Sequence, residues 1–314
     1  MLQLTQPSSI IDQTLANQRR ALFLDKKKAV LDGLIGYKKE LDHLTYSVPV
    51  FLELLHFLVE QPGRYSGLRV YFASQLWSEN DPSSRFIPEG QEENLTLIFV
   101  PTKEDQPNGT AIQRDDLENC FILSHDRLIR LPNPREVAPG MDTASNWVKL
   151  YQKKLPALAL DGARVTGNGG FRDTISQWYR IGIFLDNQAT KTQGLISYIE
   201  NLRDDLVNPL IAIRPLFACY TQTDTCPNPD GNTGTTAATD VPLYYQLTLL
   251  FELRQKNDPD SDPAPVVFAM KHRADDVKRA AVAGAAGAAG AGAGSDDSDT
   301  GYPCPPYICS GSIS

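Results

Sequence analysis

The chain contains no apolar run near the roughly 20 residues a membrane-spanning helix needs, and its first 18 residues lack the charged start and apolar centre of a signal peptide. These two absences point to a protein without a membrane span and, by expectation, a cytoplasmic one, with export by a route that leaves no N-terminal mark still open. Cysteine is scarce: five in 314 residues, Cys120, Cys219, Cys226, Cys304 and Cys309. An odd number spread over so long a chain is not a disulfide framework. Basic charge is in deficit, with 30 Lys and Arg against 38 Asp and Glu, a net charge of -8. That balance argues against a partner held by attraction to phosphate, so no nucleic-acid role is expected. The local run Lys26-Lys27-Lys28, near Arg19 and Arg20, reads more simply as a solvated helix face.

The standard catalytic signatures are missing too. There is no Gly-x-Ser-x-Gly elbow. Gly167-Asn-Gly-Gly170, with Arg172 nearby, lacks the Lys-Ser/Thr of a phosphate-binding loop and the spacing of a dinucleotide fingerprint. Asp258-Pro-Asp260-Ser-Asp262 alternates carboxylates, but Pro263 and Ala269 stand where an EF-hand needs glycine and glutamate. Asn228-Pro-Asp230-Gly-Asn232 is a turn by composition. His56 has no metal-ligand partner at helical spacing. No metal and no cofactor are expected.

What is present is a globular pattern, 41% hydrophobic and 22% charged, on a chain long enough to bury a sizeable core. Gly67-Leu-Arg-Val-Tyr-Phe72 and Leu95-Thr-Leu-Ile-Phe-Val100 are runs of β-formers, the second stopped by Pro101, and read as two strands of one antiparallel sheet. Before them, Ala16–Leu24 and Lys28–Leu44 carry apolar residues at helical spacing, and Val48–Val59 is a strongly apolar helix with Pro49 tolerated near its start. Cys120–Leu123 and Arg127–Leu131 read as short strands. After a proline-punctuated stretch at 132–142 come a helix from Ser145 to Leu155, a strand over Trp178–Leu185, a helix over Thr192–Leu206, and strands over Leu210–Tyr220, Leu243–Leu253 and Val266–Met270.

A repeat is visible in this order. Leu95-Thr-Leu-Ile-Phe99 and Leu247-Thr-Leu-Leu-Phe251 differ at one position of five, and each follows a helix, a strand and a long polar loop. The expected fold is therefore α+β, with antiparallel sheets covered by helices, built from two related helix-strand-loop-strand units. The divisions are 1–135 for the first unit with its N-terminal helices, 142–275 for the second, and 284–314 for an Ala/Gly/Asp linker and tail that cannot bury enough surface to order itself.

Gly67-Leu-Arg-Val-Tyr71, Leu97-Ile-Phe-Val-Pro101 and the terminal Gly301-Tyr-Pro-Cys304-Pro-Pro-Tyr-Ile-Cys309 together resemble a group of uncharacterised bacterial proteins. Trp147-Val-Lys-Leu-Tyr-Gln152 looks like the opening helix of such proteins. The resemblance covers about a fifth of the chain and implies a longer, doubled form of a one-unit protein. It implies no activity.

Two sets of residues carry candidate chemistry. Pro303, Cys304, Pro305, Pro306, Tyr307 and Cys309 form a stiff, aromatic-flanked segment suited to recognition by a protein partner. Cys304 and Cys309 also offer a redox or metal-responsive pair, with wider spacing than Cys-x-x-Cys and no further ligand nearby. Cys120, His125 and Asp126 contain the ingredients of a thiol site for a hydrolase or transferase. A non-enzymatic interaction or structural module is the first expectation, because no convergent catalytic set is visible. Substrate and oligomeric state are not legible. Cys219 and Cys226 flank a turn-rich loop and could pair, although Cys219 on an apolar strand is more simply a buried thiol.

Overall fold

The computed structural model describes residues 7, 10–33, 43–76, 93–105, 112–124, 127–131, 144–153, 174, 176–221, 225–226, 241–242, 246–256 and 266–268. The fold is α+β with antiparallel sheets. Helix α1 (Gln13–Leu22) starts at Asp12, whose carboxylate accepts from the Thr14 and Leu15 amides, a normal N-cap. It runs through a π-helical segment, Phe23–Lys28, into α2 (Ala29–Gly33). The rest of the helix expected up to Leu44 lies outside the described residues. Strand β1 (Tyr46–Ser47) leads directly into α3 (Val48–Val59), with proline in its first turn.

The first sheet contains β2 (Gly67–Leu76), β3 (Glu93–Asp105), β4 (Ile112–Asp115), β5 (Phe121–Leu123), β6 (Leu128–Arg130) and β7 (Ser176–Arg180). Its order is β6-β5-β3-β2-β7, with β4 also on β3. The two central strands pair along their full length, from Gly67 opposite Thr102 to Leu76 opposite Glu93. β3 does not stop at Pro101 as expected. The Pro101 carbonyl accepts from Asp116 on the edge where β5 pairs at Phe99 and β4 begins at Thr102. The missing N–H of Pro101 therefore points into the gap between β5 and β4, where no ladder bond is lost.

The second sheet has the order β1-β8-β11-β12, with β8 at Leu210–Cys219, β11 at Leu247–Gln255 and β12 at Val266–Phe268. A separate pair joins β9 (Thr225–Cys226) to β10 (Val241–Pro242). Helices α4 (Ala144–Gln152) and α5 (Leu195–Arg203) complete the elements. β7 is shorter than the strand expected over Trp178–Leu185: Ile181–Ile183 is a 3-10 turn. α5 is likewise shorter than the helix expected over Thr192–Leu206.

Both sheets are buried on both faces, which is why their central strands read as nearly continuous apolar runs. Leu68, Val70, Phe72, Leu97 and Phe99 face the same large core as Ile213, Phe217, Leu249 and Phe251, and α3 and α5 pack into it. α3 is apolar almost all round because it is enclosed there. On the far side of the first sheet, Tyr71, Ala73, Ile98 and Val100 meet Trp147 and Val148 of α4. On the far side of the second, Leu216, Ala218 and Leu250 meet Ile11 and Ala16 at α1.

The sheets do not divide at the boundary expected near 132–142. β7, beyond it, hydrogen-bonds to β2, and β1, before it, hydrogen-bonds to β8. Gly67 shows how closely β7 approaches: a Cβ there would lie 2.4 Å from the Tyr179 carbonyl oxygen and 2.6 Å from Trp178 Nε1. A side chain at residue 67 would push β7 off the sheet.

A buried glutamine on β7 bonds the sheets together. Gln177 Nε2 donates to Tyr220 Oη at 2.9 Å and Thr248 Oγ1 at 2.7 Å; its Oε1 accepts from the Leu249 amide at 3.1 Å and Tyr179 Oη at 3.3 Å. Replacing it removes the amide that bonds one backbone N–H and three hydroxyls in the core. Gln177→Ala is therefore expected to lower unfolding stability by about 3 kcal/mol in urea titration. A loss under about 1 kcal/mol would show that water replaces the amide.

Candidate functional site

The densest set of ionisable groups in the described chain lies where β2, β3, β4 and the turn after β4 converge. β2 carries Arg69 and Tyr71 on its outer face, and β4 ends at Asp115 opposite Thr102. Arg69 Nη1 lies 2.5 Å from Asp115 Oδ1, and both side chains are almost fully buried. Arg69 Nη2 donates to the Gln113 carbonyl, and Tyr71 Oη donates to the other Asp115 oxygen. Burial disfavours the charged form of Arg69, but Asp115 beside it outweighs that and raises its pKa. Burial, with the Asp115 charge, raises the Tyr71 phenol well above its usual range.

One residue on, Asp116 is buried in a second set. It accepts from Tyr65 Oη at 3.1 Å and Asn119 Nδ2 at 2.9 Å, and Lys103 Nζ lies 3.0 Å away. Burial alone would raise its pKa, but the hydrogen bonds from Asn119, Lys103 and Tyr65 prevail and hold it below the usual carboxylate range. Tyr65 is pushed up to about 12, first by burial and then by Asp116. Each carboxylate is committed to a cation and a phenol of its own fold. The chemistry of these groups is that of a clamp fixing the edge strand and turn to β2 and β3, with no free base in the set.

Cys120 follows directly. It is buried in the core under α4, and its thiol donates to the Leu117 carbonyl at 3.7 Å. Burial pushes it up to about 12, reinforced by Asp115 and Asp116. It is a packed thiol, without the thiolate character that nucleophilic catalysis requires. His125 and Asp126 lie outside the described residues. The tail residues Pro303 to Cys309 lie outside them as well, as do the Gly167–Gly170 and Asp258–Asp262 loops. Cys219 is a buried thiol on β8 that forms no disulfide.

Sequence reasoning missed Asp115 and Asp116 because β4 is four residues with little apolar character, flanked by polar loops. Among the described residues, no group of three or more His, Cys, Asp or Glu side chains could hold a metal ion, and no helix is long and apolar enough to cross a membrane. An apolar void of about 10 Å³ lies between α3 and the sheets, lined by Phe51, Leu55, Val70, Phe99, Tyr179 and Phe251. It is no larger than one water, too small for a ligand.

The surface offers a different feature. Of five large hydrophobic residues exposed among those described, three lie within six positions at the turn between α5 and β8: Leu206 at 99% exposure, Val207 at 80% and Ile211 at 53%. The turn is built to hold them out. Asp205 Oδ1 accepts from the Val207 amide at 2.8 Å and the Asn208 amide at 3.2 Å, an Asx-type turn. Its far side is tied to β11 by Gln255 Nε2 on the Asn208 carbonyl and by the Lys256 amide on the Pro209 carbonyl. Acidic residues flank it: Glu200 nearby on α5, then Asp204, bridged to Arg203, and Asp205.

No family model, curated protein or solved structure matches the chain.

Two outcomes follow from the buried groups. In native protein at pH 8, Cys120 is expected to escape iodoacetamide, read by peptide mass spectrometry, and to label fully once unfolded; rapid native labelling would restore it as a thiol candidate. The depressed pKa of Asp116 contributes stability that is present above about pH 4, the ordinary aspartate value, and is lost as pH falls through the lower folded value. Asp116→Asn is expected to be less stable at neutral pH and to show a shallower loss of stability on acidification below about pH 4, measured by urea midpoints. An unchanged slope would remove Asp116 from the acid response.

Proposed function

We propose that this protein is a non-catalytic interaction module of two related α+β units, and that it docks on a partner protein through the turn at Leu206 and Val207. The observation that carries this reading is the pair itself: two adjacent large apolar side chains held in solvent by a hydrogen-bonded turn. Scattered exposed leucines are ordinary, but a cluster on a pinned turn resembles an anchor for a pocket. The acidic flank favours a partner whose apolar recess has a cationic rim. The committed state of the buried carboxylates and phenols supports a structural rather than a chemical role for the core. The segment Pro303, Cys304, Pro305, Pro306, Tyr307 and Cys309 is a second address in this reading, tethered beyond the folded units.

The test is a photo-crosslinking residue placed at position 206 of the full chain in its native cells, with the polar Gly63 turn as the control position. A discrete adduct at 206, absent at 63 and lost in Val207→Asp, is the expected result, with the unfolding midpoint of Val207→Asp within about 0.5 kcal/mol of wild type because the side chain is exposed. Equal adducts at both positions, or none at 206, would reject the turn as the docking element. An adduct that disappears on truncation after Gly294 would move recognition to the tail.

A further inference from the structure

The geometry points to a chain that is a fused dimer of one unit, whose halves are joined by reciprocal exchange of a helix and a short strand. The surface at issue is the interface between the halves, and the partner it fits is a second copy of the same unit. This deepens the reading of the halves as related units and stands on positions that correspond one by one.

The order of elements is the same twice. The first half runs α1, β1, α3, β2, β3, with α2 and β4 to β6 as additions; the second runs α4, β7, α5, β8, β11, with β9, β10 and β12 as additions. Leu68-Arg-Val-Tyr-Phe-Ala73 on β2 matches Ile213-Arg-Pro-Leu-Phe-Ala218 on β8, and Leu95–Phe99 on β3 matches Leu247–Phe251 on β11. The registers agree: Phe72 is opposite Leu97 as Phe217 is opposite Leu249, and Leu68 is opposite Pro101 as Ile213 is opposite Leu253. The second residue of each matched segment is an arginine in an ion pair, although the partners differ in position: Arg69 pairs with Asp115 on β4 and Arg214 with Glu252 on β11.

The exchanged pieces obey the same correspondence. β1 of the first half pairs with β8 of the second, Tyr46 opposite Ile213; β7 of the second half pairs with β2 of the first, Tyr179 opposite Leu68. The Tyr46 ring meets Phe99 edge-on at 6.1 Å and 72°, and the Tyr179 ring meets Phe251 at 6.1 Å and 75°. α1 covers the outer face of β8, where Leu216, Ala218 and Leu250 lie, and α4 covers the outer face of β2, where the matching Tyr71, Ala73 and Ile98 lie. Two matched pairs touch each other, as residues on a two-fold axis must. Phe72 meets Phe217 at 6.3 Å, and His56 of α3 meets Glu200 of α5 at 3.1 Å, each three residues before its helix ends. Contacts in which i meets j and j meets i define an isologous interface.

Departures from the pairing mark where the second half has specialised. Glu60 to Arg64 is polar where Asp204 to Asn208 carries Leu206 and Val207, and residues 181–194 separate β7 from α5 where β1 runs straight into α3.

The test uses the full chain carrying a protease site between residues 132 and 140, together with Ser47→Cys and Ala212→Cys, which face each other across β1 and β8. After cleavage the two fragments are expected to co-elute on gel filtration, and oxidation should join them in one band that reduction splits. Fragments that separate in native buffer, or that never cross-link while the circular dichroism is unchanged, overturn the exchange. Equivalence is read separately: Tyr46→Leu and Tyr179→Leu should lower the urea midpoint comparably, and a loss at only one of them overturns the two-fold correspondence. Neither measurement involves a partner, so failure of the docking turn leaves this result standing.

Discussion

The side-chain amide of Gln177 is the constraint on which the two sheets depend. An amide has two N–H donors and a carbonyl with two acceptor positions, and Gln177 uses all four between its own strand and the second sheet. It takes up the Leu249 N–H, which β12 does not cover, since β12 pairs only with Phe251 to Leu253. A backbone donor left unpaired in an apolar core costs about as much as several buried methyl groups contribute. The polar bond therefore fixes the distance and register at which the apolar faces meet, and Phe72, Phe217, Tyr179 and Phe251 pack at that spacing.

The same logic governs the outer corner of the first sheet. Arg69, Tyr71 and Asp115 form a buried charged set in which the ion pair and the hydrogen bonds to Asp115 and the Gln113 carbonyl offset the cost of burial. Its effect is to attach β4 and the following turn, and with them Cys120 and β5, to the central strands. Perturbed ionisation in this protein is thus a consequence of assembly. The groups with the largest shifts, among them the Tyr46, Tyr71 and Tyr179 phenols and the Cys120 thiol, owe them first to burial, whereas the turn at Leu206 and Val207 holds apolar side chains in solvent.

Much of the element list was legible along the chain. Apolar spacing in Val48–Val59 and β-former runs at Gly67–Phe72, Leu95–Val100 and Leu210–Tyr220 are local signals, and each became the expected element; the strand expected over Leu243–Leu253 is described from Leu247. The ends were less legible. β3 continues through Pro101 because the proline falls in the gap between β5 and β4, and β7 stops at Arg180 because the chain turns toward α5. β4 gave no periodic signal. The turn at Leu206 was read as the end of a helix, since nothing in a sequence distinguishes a buried Leu-Val pair from an exposed one.

By itself the sequence determined which segments are helix and which are strand, together with the paired motifs of the two halves, because propensity and periodicity act between residues a few positions apart. Tertiary structure alone decided which strand joins which sheet. β1 and β7 are too short to encode a partner, and their placement depends on features contributed from far along the chain: the missing side chain at Gly67 beneath Trp178, and the Leu249 amide that awaits Gln177. Pairing is a property of the assembled surface, so it was settled only when both halves were present to complete each other.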